Sequence, residues 1–131
     1  MRAKWLAVGG AVLTLGSGVA AADTMHPRLA ARLAGMGEHG TVNLESNAAS
    51  ARLCWTFDLH TKGVTAASIR DAHGMMLVRL GKAYRAKACA HVVKTALRRI
   101  EAKPTAYWVW VDTKGHPGEL RGRLFAGMAH M

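Results

Sequence analysis

The stretch AYWVWVDTKGHPGELRGRL, residues 106–124, contains two alternating runs on either side of a glycine-containing turn. Alternation with a period of two is typical of β-strands, so the stretch predicts a β-hairpin. A turn over residues 113–118 pairs Trp110 with Arg121 and Trp108 with Arg123. Side chains two residues apart share a face of a strand, so these four are expected together. The opposite face is expected in the core: Tyr107, Val109, Val111, Leu120, Gly122 and Leu124.

Two interpretations of the tryptophan–arginine face are open. In the first, the arginines cover the indole rings with their alkyl stems and guanidinium planes, which is a packing role. In the second, Trp108, Trp110, Arg121 and Arg123 form a ligand surface, on which a sugar or another ring stacks while the arginines attract an acidic group. The partner implied by the second interpretation is an anionic glycan or another envelope component.

The N-terminal residues 1–22 have the layout of a secretory signal peptide. Arg2 and Lys4 precede a short uncharged apolar run, and three alanines end just before Asp23. This order of basic, apolar and small residues is typical of a cleaved signal. The apolar run is shorter than the roughly 20 residues of a membrane-spanning helix, so no anchor is expected after cleavage. We therefore predict an exported protein, periplasmic or extracellular, with a single domain over residues 23–131.

The chain contains two cysteines, Cys54 and Cys89. In an oxidising compartment an even pair most simply forms one disulfide. The bond would close a loop with 34 residues between the cysteines, and such a loop stabilises a fold by roughly 4 kcal/mol. Two buried thiols or a metal pair are the alternatives, although the sequence has no C-x-x-C spacing.

The predicted mature chain is strongly cationic. Without Arg2 and Lys4, 16 basic residues remain against 8 acidic ones, a net charge of +8. Such a charge attracts anionic polysaccharide, lipopolysaccharide or nucleic acid, or simply favours solubility. Few aromatic residues lie among the basic ones, so no specific nucleic-acid site is predicted.

Short strand patterns separated by turns follow one another along the mature chain. The strongest covers residues 50–60, where alternate apolar side chains share one face: Leu53, Trp55, Phe57 and Leu59. One short helix is predicted in TALRRIEAK, with Val93, Leu97 and Ile100 at helical spacing, Glu101 outward and Pro104 just beyond. These patterns predict an all-β, two-sheet antiparallel sandwich with one short helix. The tail, residues 126–131, is expected to be loose.

The order of these segments resembles that of the CHRD family, the domains named from chordin. The resemblance rests on ARLCWTFDL (51–59), VTAASIRDAHG (64–74), a second cysteine, ALRRIEAKP (96–104) and the hairpin at 106–124, and ARLAGMGEHG (31–40) is similar to the opening segment. It covers residues 29–125. It implies an immunoglobulin-like sandwich with some likeness to copper–zinc superoxide dismutase. The implied function is a small disulfide-linked binding or structural module, since the bacterial members have no established general activity.

The chain departs from the CHRD pattern at three positions. Family members commonly read AAHIHG and VNVHT where this chain has AASIRD and VWVDT, so Ser68, Arg70 and Asp112 replace the usual histidines. Histidines at such positions could hold a transition metal. Here the set is missing, so neither a metal nor another cofactor is expected. We expect Arg70 and Asp112 to form an ion pair on neighbouring strands instead.

No catalytic residue is predicted. Asp71 and His73 are the nearest acid–histidine pair, and they adjoin a predicted turn, where both His73 and His116 are expected to be exposed. Cysteines joined in a disulfide are not free nucleophiles. We therefore expect a binding module rather than an enzyme. The alternatives are a cationic envelope protein that binds anionic polysaccharide or lipopolysaccharide and, less favoured, a metal-dependent redox enzyme of the superoxide-dismutase type.

Overall fold

The computed structural model describes residues 27–129, and the expected signal peptide at residues 1–22 lies outside them. The described chain is mostly antiparallel strand with one short α-helix, which confirms the predicted all-β class. Within it, no helix is long and apolar enough to cross a membrane. The elements are β1 (Arg28–Gly35), β2 (Glu38–Asn47), β3 (Arg52–His60), β4 (Val64–Asp71), β5 (Met76–Arg79), β6 (Lys87–His91), α1 (Lys94–Ala102), a 3-10 turn (Pro104–Ala106), β7 (Tyr107–Thr113), β8 (His116–Arg123) and β9 (Phe125–Ala126).

The strands join edge to edge in one path, β5-β4-β7-β8-β1-β2-β3-β6, and β9 pairs with β1. Strands β8 and β1 meet at a single registered pair, Ala34 opposite Arg121. This junction divides the path into two halves of four strands. The two layers predicted from the sequence are therefore the two halves of one curled sheet.

Two glycines permit the close approach of β1 and β8. A Cβ on Gly122 would lie 2.0 Å from the carbonyl oxygen of Arg32, and one on Gly35 would lie 1.9 Å from that of Glu119. Backbone atoms cannot yield as a flexible side chain can, so a side chain at either position would force the strands apart. The junction between the two halves therefore requires glycine at both places.

Both halves of the sheet contribute to one hydrophobic core. Leu53 and Trp55 of β3 are buried in the same cluster as Ile69 of β4. The predicted core face of the hairpin is confirmed, because its members are all buried: Tyr107, Val109, Val111, Leu120, Gly122 and Leu124. Burial of this apolar surface is the main stabilising contribution to the fold.

Helix α1 differs in two details from the prediction. Val93 precedes the helix and is 67% exposed, so its assignment to the apolar face was wrong. The helix instead buries Ala96, Leu97 and Ile100. Glu101, expected to point outward, is half-buried and accepts a hydrogen bond of 2.5 Å from the Ser46 hydroxyl. That bond fastens the helix to β2.

The C-terminal segment is also more ordered than predicted. Ala126 pairs with β1 as part of β9. The side-chain amide of Asn43 donates to the carbonyl oxygen of Ala129 at 3.0 Å, and its oxygen accepts from the Ala129 N–H at 2.7 Å. The expectation of a loose tail is therefore wrong for residues 126–129, while residues 130–131 lie outside the described chain.

Candidate functional site

The β7–β8 hairpin has the predicted register. Trp108 lies opposite Arg123, and Trp110 lies opposite Arg121. Both indoles are half-buried and both arginines are exposed, while Val109 and Val111, on the opposite face of β7, are fully buried. The alternation of the sequence thus places all four predicted side chains on the outer face of the sheet.

Trp110 lies between arginines from the strands on either side of it. The guanidinium carbon of Arg121, on β8, is 3.8 Å from the indole centroid, and that of Arg70, on β4, is 4.6 Å away. Both distances are within the range of cation–π attraction. Backbone carbonyls also hold the two cations: Gly118 accepts from Arg121 at 3.1 Å and Gly74 from Arg70 at 3.1 Å. The indole and the two guanidinium groups therefore form one fixed cluster.

Trp108 is less enclosed than Trp110. Within the described chain, the one arginine near its ring is Arg123, whose guanidinium carbon lies 5.1 Å from the centroid. A shallow groove of about 360 Å³ opens beside it. The groove is lined by Asp71, Ala72, Trp108, Trp110, Arg121 and Arg123. All four residues predicted as a ligand surface thus border one cavity.

Asp71 adds one negative charge to this groove. It ends β4, and its carboxylate accepts hydrogen bonds from the backbone N–H groups of His73 at 2.8 Å and Met75 at 3.0 Å. These bonds, that of Met75 foremost, lower the pKa of Asp71 below its ordinary value. The carboxylate is therefore ionised and fixed in position at neutral pH. Because the carboxylate accepts from the backbone N–H of His73, it stabilises the turn that follows β4.

Arg70 and Asp112, two of the three residues at the histidine positions of the CHRD pattern, do not form the expected ion pair. Arg70 lies opposite Trp108, whereas Asp112 lies opposite Ala66, four residues before Arg70 in β4. Four residues of strand span about 13 Å. Arg70 donates instead to the hydroxyl of buried Ser68 at 3.0 Å, and Asp112 accepts from the Gly118 N–H at 2.6 Å. The expected Arg70–Asp112 pair is wrong, although the two strands are neighbours as predicted.

Within residues 27–129, no group of three or more histidine, cysteine, aspartate or glutamate side chains is placed to hold a metal ion. His73 lies in a turn as expected, and His116 is exposed as expected but opens β8 rather than a turn. That this chain takes no metal stays a prediction.

The predicted disulfide is confirmed. Cys54 of β3 and Cys89 of β6 are bonded, with an S–S distance of 2.04 Å. They are directly opposite one another in the β3–β6 register. The bond therefore ties the last strand of the path to its one paired neighbour.

Sequence reasoning missed three parts of the site. It did not place Asp71 or Ala72 in the groove, and it did not bring Arg70 to Trp110. All three depend on the pairing of β4 with β7, strands that are far apart in the chain. No local signal identifies them, because the residues around Arg70 and Asp71 do not encode which strand lies beside β4.

Comparisons with known proteins identify no relative. No protein-family model matches the chain, and neither the curated proteins nor the solved structures contain a match. Membership of the CHRD family therefore stays a prediction from the sequence.

Proposed function

We propose that this chain is an exported CHRD-type binding module whose outer-face groove takes an acidic ligand that contains a sugar or another ring. The observation that carries the proposal is the joint presence of Trp108, Trp110, Arg121 and Arg123 along one groove. A packing role for the arginines accounts for Trp110, which two guanidinium groups flank. It accounts less well for Trp108, because within the described chain the one guanidinium group near its ring is that of Arg123, at 5.1 Å.

The charges of the groove favour an anion. In the described chain the ion pairs are Arg28–Glu45 and Asp58–His60, so no carboxylate lies within salt-bridge distance of Arg121 or Arg123. The planar, forked guanidinium group binds carboxylate, sulfate or phosphate oxygens through two parallel hydrogen bonds. The two arginines are therefore available to an acidic group of the ligand.

The remaining groove residues suit a saccharide. The apolar face of a pyranose ring can stack on the Trp108 indole, which is a flat amphipathic surface. The fixed Asp71 carboxylate accepts hydrogen bonds and can take the hydroxyl groups of a sugar. We therefore favour an acidic oligosaccharide, of the kind found in cell envelopes, over a simple inorganic anion.

The proposal is tested by titrating tryptophan fluorescence with an acidic oligosaccharide and with its neutral counterpart. We expect the acidic compound to change the spectrum and the neutral one to bind more weakly. Arg123→Ala and Trp108→Ala should each weaken binding about tenfold, which corresponds to 1.4 kcal/mol. Arg98→Ala is the charge-matched control, because Arg98 is exposed on α1 and does not border the groove.

The alternative proposal is a cationic envelope protein that binds anionic polysaccharide or lipopolysaccharide through its overall charge. The net charge of +8 for the predicted mature chain supports it. In that case Arg98→Ala and Arg123→Ala would weaken binding equally, and Trp108→Ala would have no effect. No spectral change at millimolar acidic saccharide would contradict the groove proposal.

Catalysis is not part of the proposal. The superoxide-dismutase-type alternative requires metal ligands, and Ser68, Arg70 and Asp112 occupy the positions where the CHRD pattern has histidines. The Arg70 side chain cannot deprotonate to bind a metal, and its charge repels a cation. We therefore infer a role in binding.

A further inference from the structure

Strand β6 is an edge strand that the sequence did not predict. It spans Lys87–His91 at one end of the strand path and pairs on one side with β3. Strand β5 is the edge at the other end of the path. An edge strand offers a row of backbone N–H and C=O groups that another chain can pair with.

The register shows which backbone groups of β6 are free. Phe57 donates to the Ala86 carbonyl at 2.7 Å, and Val92 donates to the Ala51 carbonyl at 2.8 Å, across the β3–β6 boundary. In an antiparallel ladder alternate residues point their backbone groups to the same side. Lys87, Cys89 and His91 consequently direct their N–H and C=O groups away from β3. No hydrogen bond between described residues involves these outward groups.

There is space beside this edge. A groove of about 430 Å³ is lined by Ala90 and His91 of β6 and, on its other wall, by Arg79, Gly81 and Lys82. Arg79 is the last residue of β5, so the two edges of the curled sheet border the same groove. The Cys54–Cys89 disulfide holds β6 against β3 at its central residue, and this keeps the edge in place.

The charge of the edge selects its occupant. Arg79 and Lys82 line the groove, Lys87 begins β6, and no acidic side chain lines the groove. A second copy of this chain would bring a second strongly cationic surface to this edge, and surfaces of like charge repel one another. A strand with acidic side chains would place them opposite these cations.

We propose that β6 accepts an extended acidic segment of a partner protein as an added β-strand. Backbone hydrogen bonds to Lys87, Cys89 and His91 supply the affinity, as in other cases of strand addition. The cations around the groove supply the preference for acidic sequence. This surface is separate from the tryptophan–arginine groove, so the two proposals succeed or fail independently.

The test uses synthetic 10-residue peptides that alternate glutamate with valine, or lysine with valine, and a glutamate peptide N-methylated at every residue. Binding is measured by calorimetry and by backbone amide NMR of the oxidised protein. We expect the glutamate peptide to bind and to slow hydrogen exchange at Lys87, Cys89 and His91. The lysine peptide should bind at least about tenfold more weakly, a difference of 1.4 kcal/mol. The N-methylated peptide, which lacks backbone donors, should not bind.

His91→Pro removes one outward N–H without removing a β3 hydrogen bond, and His91→Ala is its matched control. We expect His91→Pro to lose the peptide and His91→Ala to retain it. Should His91→Pro fail to fold, the N-methylated peptide makes the same test on the wild-type protein. Equal binding of the glutamate and lysine peptides, amide shifts confined to the Trp108 groove, or a β6-mediated dimer in sedimentation would overturn the proposal.

Discussion

At the scale of single residues, the arginines around Trp110 owe their positions to the ring and to backbone carbonyls. Arg70 and Arg121 both lie within 5 Å of the indole centroid. Each cation–π contact at a partly exposed surface contributes about 0.5–1 kcal/mol. Because their partners are an aromatic ring, a hydroxyl and carbonyls, their positive charges are not neutralised. Arg70 thus adds to a fixed cationic surface beside the groove.

The Asp71 carboxylate gives a prediction about pH. Its pKa is lowered by the backbone N–H of Met75 and then by that of His73. A group whose pKa is lower in the folded protein stabilises the fold above its unfolded value, near 3.8, and loses that contribution as the pH falls through its folded pKa. The wild-type protein should therefore lose more of its free energy of unfolding below about pH 4 than Asp71→Asn does.

Urea denaturation at a series of pH values from neutral to acid measures this difference. Asp58→Asn is the matched control, because Asp58 lies outside the turn and its ion pair with His60 is exposed, where such pairs contribute little to stability. Parallel pH profiles for Asp71→Asn and the wild type would contradict the assignment. The assignment would be supported if Asp71→Asn lost less free energy of unfolding than the wild type, with the difference confined to pH values below about 4.

At the scale of single elements, the sequence predicts those strands whose alternation is strong. The β7–β8 hairpin combines large apolar residues, charged residues and a glycine turn, so its register and both its faces could be predicted, including four of the six residues that line the groove. Strand β6, KACAH, has alanines on its inner face, and small residues give little periodic signal. β6 forms a strand because it pairs with β3 and because Cys89 is bonded to Cys54. Both contacts are with residues distant in the sequence, so the local residues do not predict the strand.

The disulfide leads to a prediction about β6. A double Cys54→Ser, Cys89→Ser variant should lose up to roughly 4 kcal/mol of unfolding free energy, since the bond restricts the unfolded chain. The loss should be accompanied by faster amide exchange in Ala88 and Ala90, whose backbone groups face β3. Denaturation and hydrogen exchange of the oxidised protein, the reduced protein and the variant measure both effects. Unchanged protection of β6 after reduction would show that the ladder alone holds the strand.

At the scale of the whole molecule, the curled sheet depends on one narrow connection. The halves β5-β4-β7-β8 and β1-β2-β3-β6 meet through the single registered pair Ala34–Arg121 and share one core. Other long-range contacts also hold the fold together, such as the two hydrogen bonds between Asn43 and Ala129. No local sequence pattern predicts these contacts. The tryptophan–arginine groove lies on the strand next to this junction, so its geometry depends on how closely the halves approach.

Gly122→Ala tests that dependence. Its Cβ would lie 2.0 Å from the Arg32 carbonyl oxygen, so β8 must move away from β1. We expect the free energy of unfolding to fall by roughly 3 kcal/mol, which is in the upper part of the usual range for overpacking. Arg121 and Arg123 flank Gly122, so the tryptophan fluorescence should also change. Gly37→Ala is the control, because no atom lies within 4 Å of its Cβ position; it keeps only the strain of a positive φ, about 1–2 kcal/mol. If Gly122→Ala cost no more than Gly37→Ala and left the fluorescence unchanged, the two halves would not be coupled through this junction, and the groove would have to be regarded as a property of the hairpin alone.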